Sequence, residues 1–151
     1  GDTGAYGRAK LLLERLGKKI FFFPEYGAAT RMKLINNLVL GTLMASLAEA
    51  VALGEAAGLQ KEQVLEVLSV GAGNSAVLNG KRQKLLDEDF SAQFANRAIL
   101  KDLHLVQDLA YSLNRPVMTA SVIKELYNQM IARGEADLDF SAIYNLFKPA
   151  K

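Results

Sequence analysis

Residues 34–48 carry no charged side chain, and their apolar positions fall on all sides of a 3.6-residue period. That pattern predicts a helix buried around most of its circumference. The run should extend from about residue 28 to residue 57, with Gly58 just beyond it, a rod of roughly 45 Å at the helical rise. Small residues at Gly41, Ala45, Ala48 and Ala52 are expected to let other helices pack closely on it, one from a second subunit included. Apolar stripes at helical spacing predict further helices over residues 5–16, stopped by Gly17, and from residue 60 to the Gly71-Ala-Gly73 loop. Others are expected over residues 76–86, over residues 94–113 after an N-cap at Ser91 and before Pro116, and over residues 119–132 before Gly134. A last short helix follows a cap at Asp139. The exception is Lys18-Lys-Ile-Phe-Phe-Phe23, whose three consecutive aromatics between Gly17 and Pro24 read as one buried strand. A lone strand needs a sheet, so its partners are expected outside this chain or in another copy.

Composition narrows the chemistry more than the fold. With 151 residues, half of them hydrophobic, the chain can bury one sizeable core. A formal net charge of +2 with interspersed signs gives no field that argues for nucleic acid. The densest basic cluster, Lys81-Arg82-Gln83-Lys84, reads as a solvated helix face. Without cysteine and with a single histidine there is no disulfide framework, no thiolate chemistry and no usual zinc site. The uncharged run is about five residues short of a membrane span and contains Asn36 and Asn37, so a core helix and no membrane partner are expected. No leader pattern appears at the amino end, and a cytoplasmic location is expected.

Candidate chemistry lies at the start of the long helix. Lys33 and Asn37 are four apart and share a face, and Gly41 continues that stripe, leaving room for something to approach the backbone. An apolar setting near a helix start disfavours an ammonium ion, which suits a general acid or base with Asn37 as its hydrogen-bonding partner. A lysine that snorkels its head to solvent fits the same spacing. Gly71-Ala-Gly-Asn-Ser-Ala76 formally satisfies the dinucleotide fingerprint, but the segment before it has helical period. A helix end followed by an Asn74 or Ser75 N-cap explains it better. His104 has no partner at ligand spacing and reads as a packed or surface side chain, and Lys101-Asp102 reads equally as solvated charge.

Taken together, Gly27, Lys33, Asn37, the long small-residue helix and the distal Phe94…Lys101-Asp102-Leu resemble the C-terminal half of the β-hydroxyacid dehydrogenase family. That family includes 3-hydroxyisobutyrate dehydrogenases and tartronate, glyoxylate and succinic semialdehyde reductases. Pro24 and Ala29 stand where it usually has glycine. The resemblance implies a mainly α fold, a helical bundle like the 6-phosphogluconate dehydrogenase C-terminal domain built around one long helix. Residues 1–24 would be the end of a Rossmann domain, its last helix and strand, and residues 25–151 an all-helical substrate and dimerisation domain. It implies NAD or NADP as cofactor, bound mainly by a domain upstream, and a small hydroxy acid or semialdehyde as substrate. Lys33 and Asn37 would be catalytic, and Phe94, Lys101 and Asp102 would lie at the cofactor. A homodimer or homotetramer is implied as well. The alternative is a non-catalytic helical dimerisation module derived from the same family.

Overall fold

The charge-free run folds as the middle of a helix spanning Ala28–Ala56, α2, around which the rest of the chain is arranged. In the computed structural model, which describes residues 1–148, α1 (Thr3–Leu16) precedes it. After it come α3 (Lys61–Val70), α4 (Ala76–Asp87), α5 (Asn96–Ser112), α6 (Met118–Ala132) and a 3-10 helix, Phe140–Leu146. Residues 149–151 of the expected helical domain lie outside the described residues.

Local chemistry explains most of the boundaries. Gly27 stands before α2 with φ 78, and Gly58 follows it with φ 86, a left-handed backbone that glycine adopts without a Cβ clash. Ser75 caps α4 by accepting from the Leu78 amide at 3.1 Å, and the glycines of the fingerprint-like stretch simply join α3 to α4. Asp139 caps the 3-10 helix through Ser141. Ser91, expected to cap α5, instead folds back on Asp89 with its amide 3.0 Å from Oδ1, and α5 begins at Asn96. The intervening backbone is committed elsewhere. The Asp139 amide donates to Phe90 O at 2.8 Å, the Phe140 amide to Phe94 O at 2.8 Å, and the Asn96 amide to Leu138 O at 2.9 Å.

The expected strand does not form. Residues 20–24 run irregularly, with the terminal amine of Gly1 donating to the Pro24 carbonyl at 2.9 Å and Tyr6 stacking on Phe22 at 4.3 Å. A strand is defined by a ladder partner, and the described residues supply none. α1 buries no residue and makes no packing contact with the other described helices.

One face of α2 (Met44, Ala45, Ala48, Val51, Ala52) is buried against α5, α6 and the 3-10 helix, where Ile99, Leu103, Tyr127, Met130 and Ile143 complete the core. Burial around most of the circumference was the expectation, yet only 44% of the most apolar window of α2 is buried. The helix is long and apolar enough, by length and composition, to cross a membrane, but here it is the central element of a bundle. Its small residues serve packing within the chain. Ile99 and Ile123 lie 3.5 Å from where a Gly41 side chain would begin, so the space beside that backbone is filled by α5 and α6. The outward stripe is made of Met32, Ile35, Val39 and Leu43 instead.

Candidate functional site

α2 and α5 cross so that residues 69 apart in sequence share one carboxylate. Lys33, in the second turn of α2, donates from Nζ to Oδ2 of Asp102 at 2.9 Å, and Asn37, one turn on, donates from Nδ2 to the same oxygen at 2.6 Å. The i, i+4 spacing on α2 makes this possible, because both side chains lean over one face toward α5. Lys101 approaches the other oxygen, its Nζ 3.0 Å from Oδ1, but too bent for a hydrogen bond, so Oδ1 is left without a hydrogen-bond partner.

Exposure divides the cluster. Asp102 is 1% exposed and Asn37 is buried, while the Lys33 side chain is 55% exposed and Lys101 is open as well. Burial alone would raise the Asp102 carboxyl, but the adjacent Lys33 and Lys101 ammonium groups and the Asn37 amide outweigh it and hold the group below the usual carboxylate range. A fixed negative charge therefore sits beneath two ammonium groups that face solvent. The buried lysine expected from the apolar helix is not found. Lys33 lies at the rim of α2, its stem crossing the helix surface and its head on a carboxylate.

Of the residues singled out from the sequence, Lys33, Asn37, Lys101 and Asp102 come together and Phe94 does not. Asp102, expected as a cofactor contact, is 1% exposed and accepts from Lys33 and Asn37. Phe94 precedes α5, its ring edge-on to Phe140 at 5.7 Å. His104 lies 3.8 Å from Asp108 and, with Arg97, Lys101, Lys124 and Asn128, lines a shallow cleft of about 440 Å³ between α5 and α6. One buried ion pair was not anticipated from the sequence, although Asp139 was expected as a cap and serves as one. Lys81, read as part of a solvated face, is 7% exposed, and it pairs with Asp139, which is 0% exposed.

The donors left over define what this surface can hold. Each ammonium has three N–H groups, and both lysine side chains are open to solvent, so the donors not spent on Asp102 can meet an oxygen acceptor arriving from outside. The glycines of residues 71–76 join two helices and are not delivered by a strand, so they do not form the dinucleotide fingerprint.

Residues 27–147 match the family model described as NAD-binding of NADP-dependent 3-hydroxyisobutyrate dehydrogenase. The chain is 35% identical over 147 residues to the chicken protein named cytokine-like nuclear factor N-PAC, covering 97% of this chain and 27% of that one. It is 33% identical over 151 residues to the Arabidopsis thaliana glyoxylate/succinic semialdehyde reductase 2, chloroplastic, covering 100% of this chain and 42% of the reductase. The solved 3-hydroxyisobutyrate dehydrogenase of Salmonella typhimurium superposes with a TM-score of 0.89 at 29% identity, over 97% of this chain and 52% of that one. The chain thus spans less than half the length of these curated relatives and about half of the solved enzyme. With the matched region running from the glycine before α2 to the end of the 3-10 helix, the chain belongs to the NAD(P)-dependent 3-hydroxyisobutyrate dehydrogenase family.

Proposed function

We propose that this chain is the C-terminal catalytic and dimer-forming half of an NAD(P)-dependent β-hydroxyacid dehydrogenase or semialdehyde reductase, with Lys33 as the proton donor and acceptor. The observation that carries this reading is a half-exposed lysine anchored to a buried, ionised carboxylate that Asn37 also holds. When bound, the nicotinamide supplies or receives the hydride. Lys33 gives a proton from Nζ to the oxygen that becomes the hydroxyl, or takes it in the oxidative direction, and its exposure lets solvent restore the charge state. Asp102 holds Nζ in place through its charge and the 2.9 Å hydrogen bond. Asn37 is spent on Asp102 and therefore orients the lysine through the carboxylate, without touching substrate. Lys101 is open to a cofactor or substrate oxygen, and Phe94, which lines a separate apolar cavity with Leu40 and Phe140, walls the cofactor cleft completed by the upstream domain. An upstream Rossmann domain, of which residues 1–24 are the end, supplies the rest of the cofactor site. The exposed stripe of Ile35, Val39 and Leu43 on α2, beside Met118 and Val122 of α6, is the face on which a second copy packs.

A second reading has its own support. The relatives named as nuclear factors are slightly more similar to this chain than the reductase is, which favours a helical interaction module. The test joins this chain to a dinucleotide-binding domain from its own coding region and follows NADPH and NADH oxidation with glyoxylate and succinic semialdehyde, for the native chain and Lys33→Ala. Turnover lost in a folded, cofactor-binding Lys33→Ala variant supports the enzyme. No Lys33-dependent turnover with any small semialdehyde favours the interaction module.

A further inference from the structure

Lys81 and Asp139 form a charge pair with almost no access to water, remote in sequence and outside the lysine cluster on α2 and α5. Nζ of Lys81 lies 2.9 Å from Oδ1 and 3.0 Å from Oδ2 of Asp139, and it donates to Gln93 Oε1 at 2.9 Å. Asp139 Oδ2 also accepts the amides of Gln93 and Phe94 at 2.9 and 3.1 Å, and Oδ1 accepts the Ser141 amide and hydroxyl at 3.1 and 2.6 Å. The backbone seals the same junction, with the amide of Phe140 on the carbonyl of Phe94 at 2.8 Å. The Lys81 ammonium stands 5.0 Å from the Phe140 ring, on which the Phe94 ring packs.

The cost of this arrangement is informative. Replacing a buried ion pair by well-packed apolar side chains is often neutral or stabilising, so stability alone does not account for one. Two apolar side chains would not accept consecutive amides and so would not set the backbone path through residues 93 and 94. That path aims a single large side chain. Phe94, with Leu40, Val77, Gly80, Lys81 and Phe140, lines an apolar cavity of about 280 Å³. Leu40 lies seven residues beyond Lys33, about 10 Å along the axis of α2 and on the same face, which sets the cavity wall two turns from that lysine's place on the helix.

We propose that Lys81 and Asp139 are positioning residues which fix Phe94 against the bound reactants and so set their affinity, leaving proton transfer to Lys33. This rests on the reading above in which Phe94 walls the cleft. The experiment compares Lys81→Met, Lys81→Arg, Phe94→Leu and the Lys81→Met/Phe94→Leu double variant. In this chain, amide hydrogen exchange at Gln93 and Phe94 should accelerate in Lys81→Met about tenfold more than at the core amides of α2. Lys81→Arg should restore it. In the two-domain protein, Lys81→Met should raise KM about tenfold while kcat stays within about a factor of two, and the KM effect should vanish in the Phe94→Leu background, the mark of residues acting as one unit. Equal acceleration at all amides, or a KM effect that persists undiminished beside Phe94→Leu, overturns the proposal. Absence of turnover in the native two-domain protein would sink the catalytic reading and with it the cleft, while the exchange rates would still decide whether Lys81 fixes the segment.

Discussion

Asp102 and Asp139 are both buried carboxylates paired with lysine, and they have been put to opposite uses. Around Asp139 both oxygens are taken by one buried ammonium, two backbone amides of one segment, and Ser141. Around Asp102 the ammonium groups reach in from solvent, and one oxygen lacks a hydrogen-bond partner. In both, burial pushes the carboxyl up and is outweighed, at Asp139 first by Ser141 and Lys81 and at Asp102 first by Lys33 and Lys101. The difference lies in who else can reach the partner cation. A lysine enclosed with its carboxylate can only hold structure, whereas one tethered to a buried charge but wet at its tip can exchange protons.

The largest expected effect breaks the two sites apart by function. Lys33→Ala should lower turnover of the two-domain protein by about 10²–10⁴, the usual contribution of a positioned acid or base, while costing only about 1–2 kcal/mol of stability, because Asp102 keeps Asn37 and Lys101 beside it. Asp139→Ala should cost more stability, since removing one partner of a buried pair costs about 3–5 kcal/mol, read as a lowered urea midpoint. If Lys33→Ala unfolds the chain as readily as Asp139→Ala, the distinction between an open and a closed site fails. Asp102→Asn comes next. It keeps an acceptor for Lys33 and Asn37 but removes the charge that fixes the lysine, and a loss of roughly ten- to a hundredfold in kcat is expected, as for a modest misplacement of a reacting group. An unchanged kcat would mean that Lys33 needs no anchor.

Helix positions were legible because they rest on local rules. The charge-free run, Gly17, Gly58, Ser75 and Gly134 mark ends that the structure keeps, and the family was legible from Gly27, Lys33, Asn37 and the Lys101-Asp102 pair. What was not legible depends on which helix crosses which. Nothing in the spacing of Lys33 and Asn37 says that Asp102 will arrive between them, and Lys81 sits in a basic tetrapeptide whose other members behave as a solvated face. The strand failed for a related reason. Three aromatics at residues 21–23 give a segment the propensity for a ladder, but a ladder is a property of two segments. The small residues of α2 were read as a packing surface for other helices, and within this chain they serve as one. Gly41 meets Ile99 and Ile123 of the same chain, and larger side chains face outward.

The smallest expected effect sharpens the comparison, because acid should separate the two carboxylates by degree. Each is held below its ordinary range in the folded chain, so each contributes stability that is present above its unfolded value and is lost as pH falls through its folded value. Protonating Asp139 breaks contacts closed off from water. Protonating Asp102 releases ammonium groups that solvent and salt already screen, so less stability depends on it. Glu88 adds a surface background to the same limb. Hydrogen bonds from Lys148 and Lys61 lower it from 4.5 to about 2, and Glu88→Gln should flatten that part of the profile. Unfolding by urea at a series of pH values below neutrality, for the native chain, Asp139→Asn and Asp102→Asn, reads the difference directly. The Asp139→Asn profile should lose more of its acid slope than the Asp102→Asn profile. Raising the salt concentration should reduce the Asp102 share and leave that of Asp139 nearly unchanged, since a buried pair is screened far less than one open to solvent. Equal slopes, or equal responses to salt, would mean that the lysines on Asp102 are as well enclosed as Lys81, and Lys33 would then lack the access to water that its proposed chemistry needs.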